Sequence, residues 1–100
     1  MTKDGKIGIG IIGFGGIAQG AHAPGYRRLP SECEIVAVAD IAPERLEQAG
    51  GERWSIANTL DDYHKLLEMP EIDAVSVCTP NGIHMQATID ALRAGKHVLC

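Results

Sequence analysis

Apolar residues occur along the chain in short runs that alternate with more polar, helix-like segments. The first run, Ile7–Ile12, is almost continuous, as expected of a strand that helices cover on both faces. Strands that alternate with helices of similar length predict parallel βαβ units with right-handed crossovers. The predicted strands are Ile7–Ile12, Cys33–Ala39, Trp54–Asn58, Ala74–Cys78 and Val98–Cys100.

Turn and capping residues predict four helices between these strands. Pro24-Gly25 is expected to kink or interrupt the first helix, because proline lacks the backbone N–H that a helix interior needs. Thr59-Leu60-Asp61-Asp62 resembles a capping box that opens the third helix. The apolar face of the last helix is expected to comprise Met85, Ile89 and Leu92. The predicted helices are 16–29, 43–49, one that ends near Met69-Pro70, and 83–94.

This alternation predicts the α/β class, with a doubly wound parallel sheet of strand order 3-2-1-4-5. No internal repeat or linker interrupts the pattern, so residues 1–100 are expected to form one domain. The last predicted strand stops after about three residues and would leave an apolar edge uncovered. We therefore expect the chain to be the N-terminal part of a longer protein.

Composition narrows the classes of partner. The net charge is −4, and no block of lysine or arginine is present, so neither a nucleic acid nor a membrane surface is an expected partner. No apolar run approaches the roughly 20 residues that span a bilayer, and the N-terminus has no signal-peptide pattern. The three cysteines lack metal-site spacing and are expected to be free, which indicates a cytoplasmic protein without a metal site.

A glycine-rich turn directly follows the first predicted strand and leads into a helix. Its sequence is Gly13-Phe14-Gly15-Gly16-Ile17-Ala18. In this Gly-x-Gly-x-x-Ala pattern the first glycine permits a tight turn, and the second lets the backbone approach a pyrophosphate. The alanine lets the helix pack closely on the strand. The free N–H groups and positive dipole end of the helix then face the anion. The alternative is a turn with no ligand.

An acidic residue at the carboxyl end of the second strand adds a second indication of a dinucleotide site. Asp40 lies 22 residues after Ala18, where a carboxylate accepts hydrogen bonds from the adenosine ribose. Ile41 offers no charge to a 2′-phosphate, whereas Arg45 is close enough in sequence to reach one. NAD is therefore the expected cofactor, and NADP is retained as an alternative cofactor. The alternative role for Asp40 is to cap the helix that begins at Pro43.

The loop after the fourth strand completes the predicted site. In the expected strand order this loop faces the glycine turn at the topological switch point, where ligands of open α/β sheets bind. Thr79, Pro80 and Asn81 lie in this loop, and His84 follows in the first turn of the next helix, where it is expected to point into the crevice. The alternative for Asn81 is a helix cap, and the alternative for His84 is a surface position.

The remaining candidates have structural interpretations. His22, His64 and His97 have no ligand spacing and are expected at the surface. Trp54 and Tyr63 are expected to fill the core.

With these motifs in place, the chain resembles the Gfo/Idh/MocA oxidoreductases, the group of glucose–fructose oxidoreductase and inositol dehydrogenase. The similarity covers nearly the whole chain and includes more than the glycine turn. The motifs that carry it are Ile9–Ala18, Ile35–Asp40 with Pro43-Glu44-Arg45, Asp62-Tyr63 with Leu66-Leu67, Ile72–Val75, Cys78–Asn81 with His84, and Ala94–Cys100.

The resemblance implies an N-terminal NAD(P)-binding Rossmann domain joined to an α/β substrate domain that usually carries the oligomer interface. It implies hydride transfer between nicotinamide and the CH–OH group of a sugar, inositol or related polyol. The glycine turn would hold the pyrophosphate, Asp40 with Ile41 the ribose, and Thr79, Pro80, Asn81 and His84 the nicotinamide side.

The family's Glu-Lys-Pro motif and acid/base pair would lie beyond Cys100, so residues 1–100 contain no expected catalytic residue and are expected to bind NAD without turnover. The alternatives are a dinucleotide-sensing regulator and an NAD-dependent glycoside hydrolase of the same family.

Overall fold

A parallel five-stranded sheet forms the centre of the molecule, whose residues 1–100 are all described by a computed structural model. The strands are β1 Ile7–Ile12, β2 Cys33–Ala39, β3 Asn58–Leu60, β4 Ala74–Val77 and β5 His97–Leu99. Their order in the sheet is β3-β2-β1-β4-β5, which confirms the predicted order. The neighbours β1 and β4 therefore connect to the rest of the chain in opposite directions.

Helices cover both faces of this sheet. The helical elements are the π-helical segment Ala18–His22, α1 Ala23–Arg27, α2 Pro43–Gly50, α3 Tyr63–Leu67 and α4 Asn81–Arg93. One core lies under the π-helical segment, α1 and α2, and it includes Ile11, Phe14 and Val38. The second core lies under α3 and α4 and includes Leu66 and Val75. A doubly wound α/β fold is thus confirmed.

The first helix is irregular just before Pro24. The residues Ala18–His22 form a π-helical turn, in which the N–H of Ala23 donates to the carbonyl of Ala18. Pro24 has no N–H to donate to the preceding turn, so the regular α-helical ladder is interrupted there. The predicted irregularity is confirmed, and its form is a π-helical segment rather than a kink.

The third strand begins four residues later than predicted. Trp54 is buried in the core and packs edge-on against Phe14, with ring centroids 5.8 Å apart. The left-handed backbone of Ser55 (φ 49°) breaks the extended run after it. Asn58 then pairs with Ala37 in β2. The predicted strand Trp54–Asn58 is therefore wrong, because the apolar residues that suggested it fill a core rather than join the sheet.

The predicted capping box is also wrong in part. Thr59 and Leu60 belong to β3, and Asp62 alone caps α3 by accepting the N–H of His64 at 2.9 Å. The last helix begins at Asn81, two residues before the predicted start. Pro80 occupies its N-cap position without a side-chain hydrogen bond, so Asn81 does not cap it.

The buried face of α4 differs from the predicted apolar face. Ala87 and Ala91 pack against the sheet, whereas Met85 and Leu92 are 73% and 58% exposed. Small residues let the helix backbone approach the strands closely. The alanine face of α4 is therefore buried, although the face with Met85 and Leu92 has larger apolar side chains.

His22 is not a surface residue as predicted. Its Nδ1 atom lies 2.9 Å from Oγ of the fully buried Ser76, whose hydroxyl also contacts the hydroxyl of Tyr26. These contacts tie the first helical region to β4.

Candidate functional site

A cleft of about 220 Å³ opens where β1, β2 and β4 end. Two backbone hydrogen bonds tie the starts of the loops after β1 and β4 to the ends of the neighbouring strands: Gly13 N–H donates to the Ala39 carbonyl of β2, and Cys78 N–H donates to the Ile12 carbonyl of β1. Twelve residues line the cleft: Ile12, Gly13, Ala39, Asp40, Ile41, Arg45, Asp61, Tyr63, Cys78, Thr79, Pro80 and Ile83. The cleft thus lies at the topological switch point that the strand order predicts.

Gly13 is required where the chain leaves β1. Its φ is +89°, and a Cβ atom there would lie 2.9 Å from the carbonyl oxygen of Cys78. A side chain would therefore force both loops apart. The next residue, Phe14, is fully buried in the core, so only its backbone is available to the site.

The rest of the turn exposes its backbone. Gly15 and Gly16 donate their N–H groups to no atom of the protein. No atom would contact a Cβ on Gly16, and the nearest atoms to one on Gly15 belong to the Arg45 guanidinium at 3.6–3.7 Å. Ile17 is 62% exposed, whereas Ala18 is fully buried against the sheet. Free amide donors at the start of a helix are the groups that bind an anion.

The carboxylate of Asp40 joins the glycine turn to the loop after β2. One oxygen accepts the N–H of Phe14 at 2.7 Å, and the other accepts the N–H of Ala42 at 2.9 Å. The Asp40 side chain is only 3% exposed, and Nη1 of Arg45 lies 3.6 Å from it. Ala42, not Asp40, occupies the N-cap position of α2. Asp40 is therefore a buried acceptor in the cleft and does not cap the helix as the alternative suggested.

The loop after β4 supplies the opposite wall. The hydroxyl oxygen of Thr79 is buried and has no hydrogen-bond partner in the protein. Burial raises the pKa of the neighbouring Cys78 to about 11, with a smaller contribution from Cys100, so this thiol is neutral near pH 7. Pro80 lines the cleft, whereas the exposed Asn81 and the half-buried His84 do not.

Two residues around the start of α3 line the cleft although the sequence analysis did not assign them to the site. These residues are Asp61 and Tyr63. Burial raises the pKa of Tyr63 to about 12, with a further contribution from Asp90, which accepts its hydroxyl hydrogen bond. The core interpretation of Tyr63 is therefore incomplete, since the ring is half-buried at the wall of a site. The signals in the sequence were the place of Tyr63 directly after a helix cap and the Asp62-Tyr63 pair among the motifs of the family resemblance.

These features fit a dinucleotide. The close approach at Gly13 excludes a Cβ, the amides of Gly15 and Gly16 are free donors, and Thr79 presents an unpaired hydroxyl. An acid at the end of β2 matches a ribose diol. A doubly wound parallel sheet with this turn and this acid at its switch point defines the class of Rossmann nucleotide-binding domains.

Comparison with known proteins assigns the family. The family model described as "Oxidoreductase family, NAD-binding Rossmann fold" matches residues 7–100. This chain belongs to that Gfo/Idh/MocA family, and the resemblance inferred from its motifs is confirmed. A D-glucoside 3-dehydrogenase from Escherichia coli is 40% identical over 102 residues, which cover all of this chain and 28% of the relative.

Solved structures give the same result. Scyllo-inositol dehydrogenase from Lactobacillus casei with bound NAD(H) and scyllo-inositol is 31% identical, with a TM-score of 0.81 over 93% of this chain and 27% of that one. The 3-ketoreductase KijD10 from Actinomadura kijaniata, in complex with NADP, is 35% identical with a TM-score of 0.83 over 94% and 28%. The chain thus spans less than a third of the length of these proteins. The longest helix, α4, has 13 residues, and none of the helices has the length and hydrophobicity of a membrane span.

Proposed function

We propose that this chain holds NAD in the cleft, with its pyrophosphate at the glycine turn. The observation that carries the proposal is the buried Asp40 carboxylate, which is bonded to the Phe14 amide of that turn at 2.7 Å. This hydrogen bond links Asp40, the proposed acceptor for the ribose hydroxyls, to the turn whose free amides would bind the phosphates. Within the glycine turn only Gly13 lines the cleft, and the free amides of Gly15 and Gly16 follow it in the chain. Gly13, Gly15, Gly16, Ile17 and Ala18 would form the pyrophosphate site, and Asp40 with Ile41 would contact the adenosine ribose.

The opposite wall would contact the rest of the cofactor. Thr79 is supported by its unpaired buried hydroxyl and Pro80 by its place in the lining. Asn81 and His84 lie outside the lining, so we assign them the nicotinamide side only through the family resemblance.

Charges in the cleft support NAD over NADP. A 2′-phosphate beside the ribose would meet the buried Asp40 and the nearby Asp61, against one guanidinium from Arg45 that already lies close to Asp40. Repulsion of about 3 kcal/mol would correspond to roughly a hundredfold preference. Arg45 is 47% exposed and could still turn toward a phosphate, so binding of NADP is expected to be weak rather than absent.

We further propose that residues 1–100 are the nucleotide-binding domain of a longer NAD(P)-dependent oxidoreductase acting on the CH–OH group of a sugar, inositol or related polyol. Inositol and glucoside dehydrogenases among the relatives support this substrate class. Bound NAD would supply the hydride acceptor, while the protein orients it. Transfer of the hydroxyl proton needs residues beyond Cys100, so residues 1–100 alone should not turn over. The cytoplasmic location and the homo-oligomeric state of the full-length enzyme remain predictions from the sequence.

Isothermal titration calorimetry of the folded chain with NAD and NADP tests the proposal. NAD is expected to bind at micromolar to millimolar concentration, more tightly than NADP by at least tenfold. Circular dichroism on the same sample establishes that the chain is folded. If a folded chain binds neither dinucleotide, the proposal is wrong. If NADP binds more tightly, the preference assigned to Asp40 is wrong.

A further inference from the structure

Tyr63 lies at the cleft wall on the same side as Asp40. It is the first residue of α3, and with Ile41 and Asp61 it forms the wall near the ends of β2 and β3. A ribose bound at Asp40 carries its base on this side of the cleft, because the acid reads the adenosine ribose. A flat aromatic side chain that shares this wall with Ile41 suits the face or edge of a purine.

Asp90 fixes the position of that ring from a different helix. It lies on α4, and its Oδ2 accepts the hydrogen bond of the Tyr63 hydroxyl. Its other oxygen accepts Nε2 of Gln86 at 2.9 Å. These two hydrogen bonds, that from Tyr63 first, lower the pKa of Asp90, so the acceptor is a carboxylate at neutral pH.

His64 covers Tyr63 from the other side. The two rings stack with centroids 4.2 Å apart and planes 24° apart. Nδ1 of His64 lies 2.8 Å from Asp62, and Nε2 lies 3.5 Å from Asp90. The Tyr63 ring is thus held at its hydroxyl and along one face. It also packs in part against the core under α3 and α4, and the rest of its surface lines the cleft.

We propose that Asp90 is a positioning residue for the cofactor, because it holds Tyr63 as the wall against which the adenine base packs. The proposal rests on the proposed dinucleotide function and adds to it a residue that does not itself line the cleft. The tyrosine contacts the base, and Asp90 acts only through it. The Tyr63–Asp90 bond also joins α3 to α4.

Binding measurements with ADP-ribose and with inorganic pyrophosphate distinguish a role of Asp90 in adenine binding from a general effect on the fold. ADP-ribose carries the base, whereas pyrophosphate uses only the glycine turn. Tyr63→Ala is expected to weaken ADP-ribose binding about tenfold or more, since base–aromatic packing of this kind has effects of that size. Asp90→Ala is expected to weaken it about threefold to tenfold, and Asp90→Asn, which keeps an acceptor, to restore most of the loss. Pyrophosphate binding, followed by NMR shifts, should stay unchanged in all three variants.

Gln86→Ala is the matched control, because it removes the hydrogen bond to the other oxygen of Asp90 and leaves the Tyr63 contact in place. It should bind ADP-ribose as the parent chain does. Unchanged ADP-ribose binding in Tyr63→Ala would overturn the proposal, as would an equal loss of ADP-ribose and pyrophosphate binding. A parent chain that binds neither ligand would instead refute the dinucleotide function itself, and this role with it.

Discussion

Replacing Gly13 by alanine is expected to abolish measurable NAD binding and to destabilise the fold. The residue has a φ of +89°, and the new Cβ would lie 2.9 Å from the Cys78 carbonyl oxygen. The left-handed backbone and the overpacking together cost about 2–4 kcal/mol. For a domain of this size that lowers Tm by roughly 10 °C or more. Relief of the contact would also separate the two loops that form the cleft. Thermal unfolding by circular dichroism and NAD calorimetry measure both effects.

Gly16→Ala provides the control for Gly13. It adds the same methyl group in the same turn, at a position where no atom lies within 4 Å and φ is not in the left-handed range. Its thermal stability should be equal to or slightly above that of the parent chain, because alanine restricts the unfolded state more than glycine does. If Gly13→Ala is as stable as Gly16→Ala, the close approach of the two loops is not required for the fold.

Asp40→Asn is expected to weaken NAD binding by about tenfold to a hundredfold. The charge-assisted hydrogen bonds of a carboxylate contribute about 1.5–3 kcal/mol each, and 1.4 kcal/mol corresponds to a factor of ten. The amide keeps only one acceptor oxygen for the Phe14 and Ala42 N–H groups, so the glycine turn also loses a restraint. NADP should lose less affinity than NAD, because the repulsion of its 2′-phosphate disappears and Arg45 becomes free to pair with it. Parallel titrations with both dinucleotides measure the change in preference.

Glu44→Gln is the matched control for Asp40→Asn. Glu44 is an exposed acid in the first turn of α2, outside the cleft lining, and its replacement removes the same charge. It should leave the affinities for NAD and NADP nearly unchanged. An equal, small decrease of NAD affinity in both variants would mean that only overall charge matters, and that Asp40 does not read the ribose. Asp40→Ala should erase the preference between the two dinucleotides.

The sequence predicted the central strands because burial on both faces leaves a clear pattern. The bounds of Ile7–Ile12 and Cys33–Ala39 agree with β1 and β2, which lie in the middle of the sheet. The strand order followed from the βαβ alternation, and with it the position of the glycine turn opposite Thr79. Asp40 could be placed because it ends a strand whose limits were clear.

Features that depend on tertiary contacts could not be predicted in this way. The third strand was misplaced because a local pattern does not distinguish an apolar residue of a strand from one that fills a core. Trp54 is of the second kind, since it packs against Phe14, which lies 40 positions earlier in the sequence. The pairing of Tyr63 with Asp90 joins residues 27 positions apart on different helices. Likewise, the exposed Met85 made an apolar stripe on α4, but the alanines decided which face meets the sheet.

The most direct test of the central claim is an NMR titration of the ¹⁵N-labelled chain with NAD. We predict that the largest amide shifts fall at Gly15 and Gly16, whose N–H groups donate to no protein atom, and at Phe14, whose N–H is bonded to Asp40. Smaller shifts are expected at Ile41 and Thr79 on the two walls. Saturable shifts confined to other surfaces, with the glycine turn unchanged, would contradict the assignment of this cleft as the dinucleotide site.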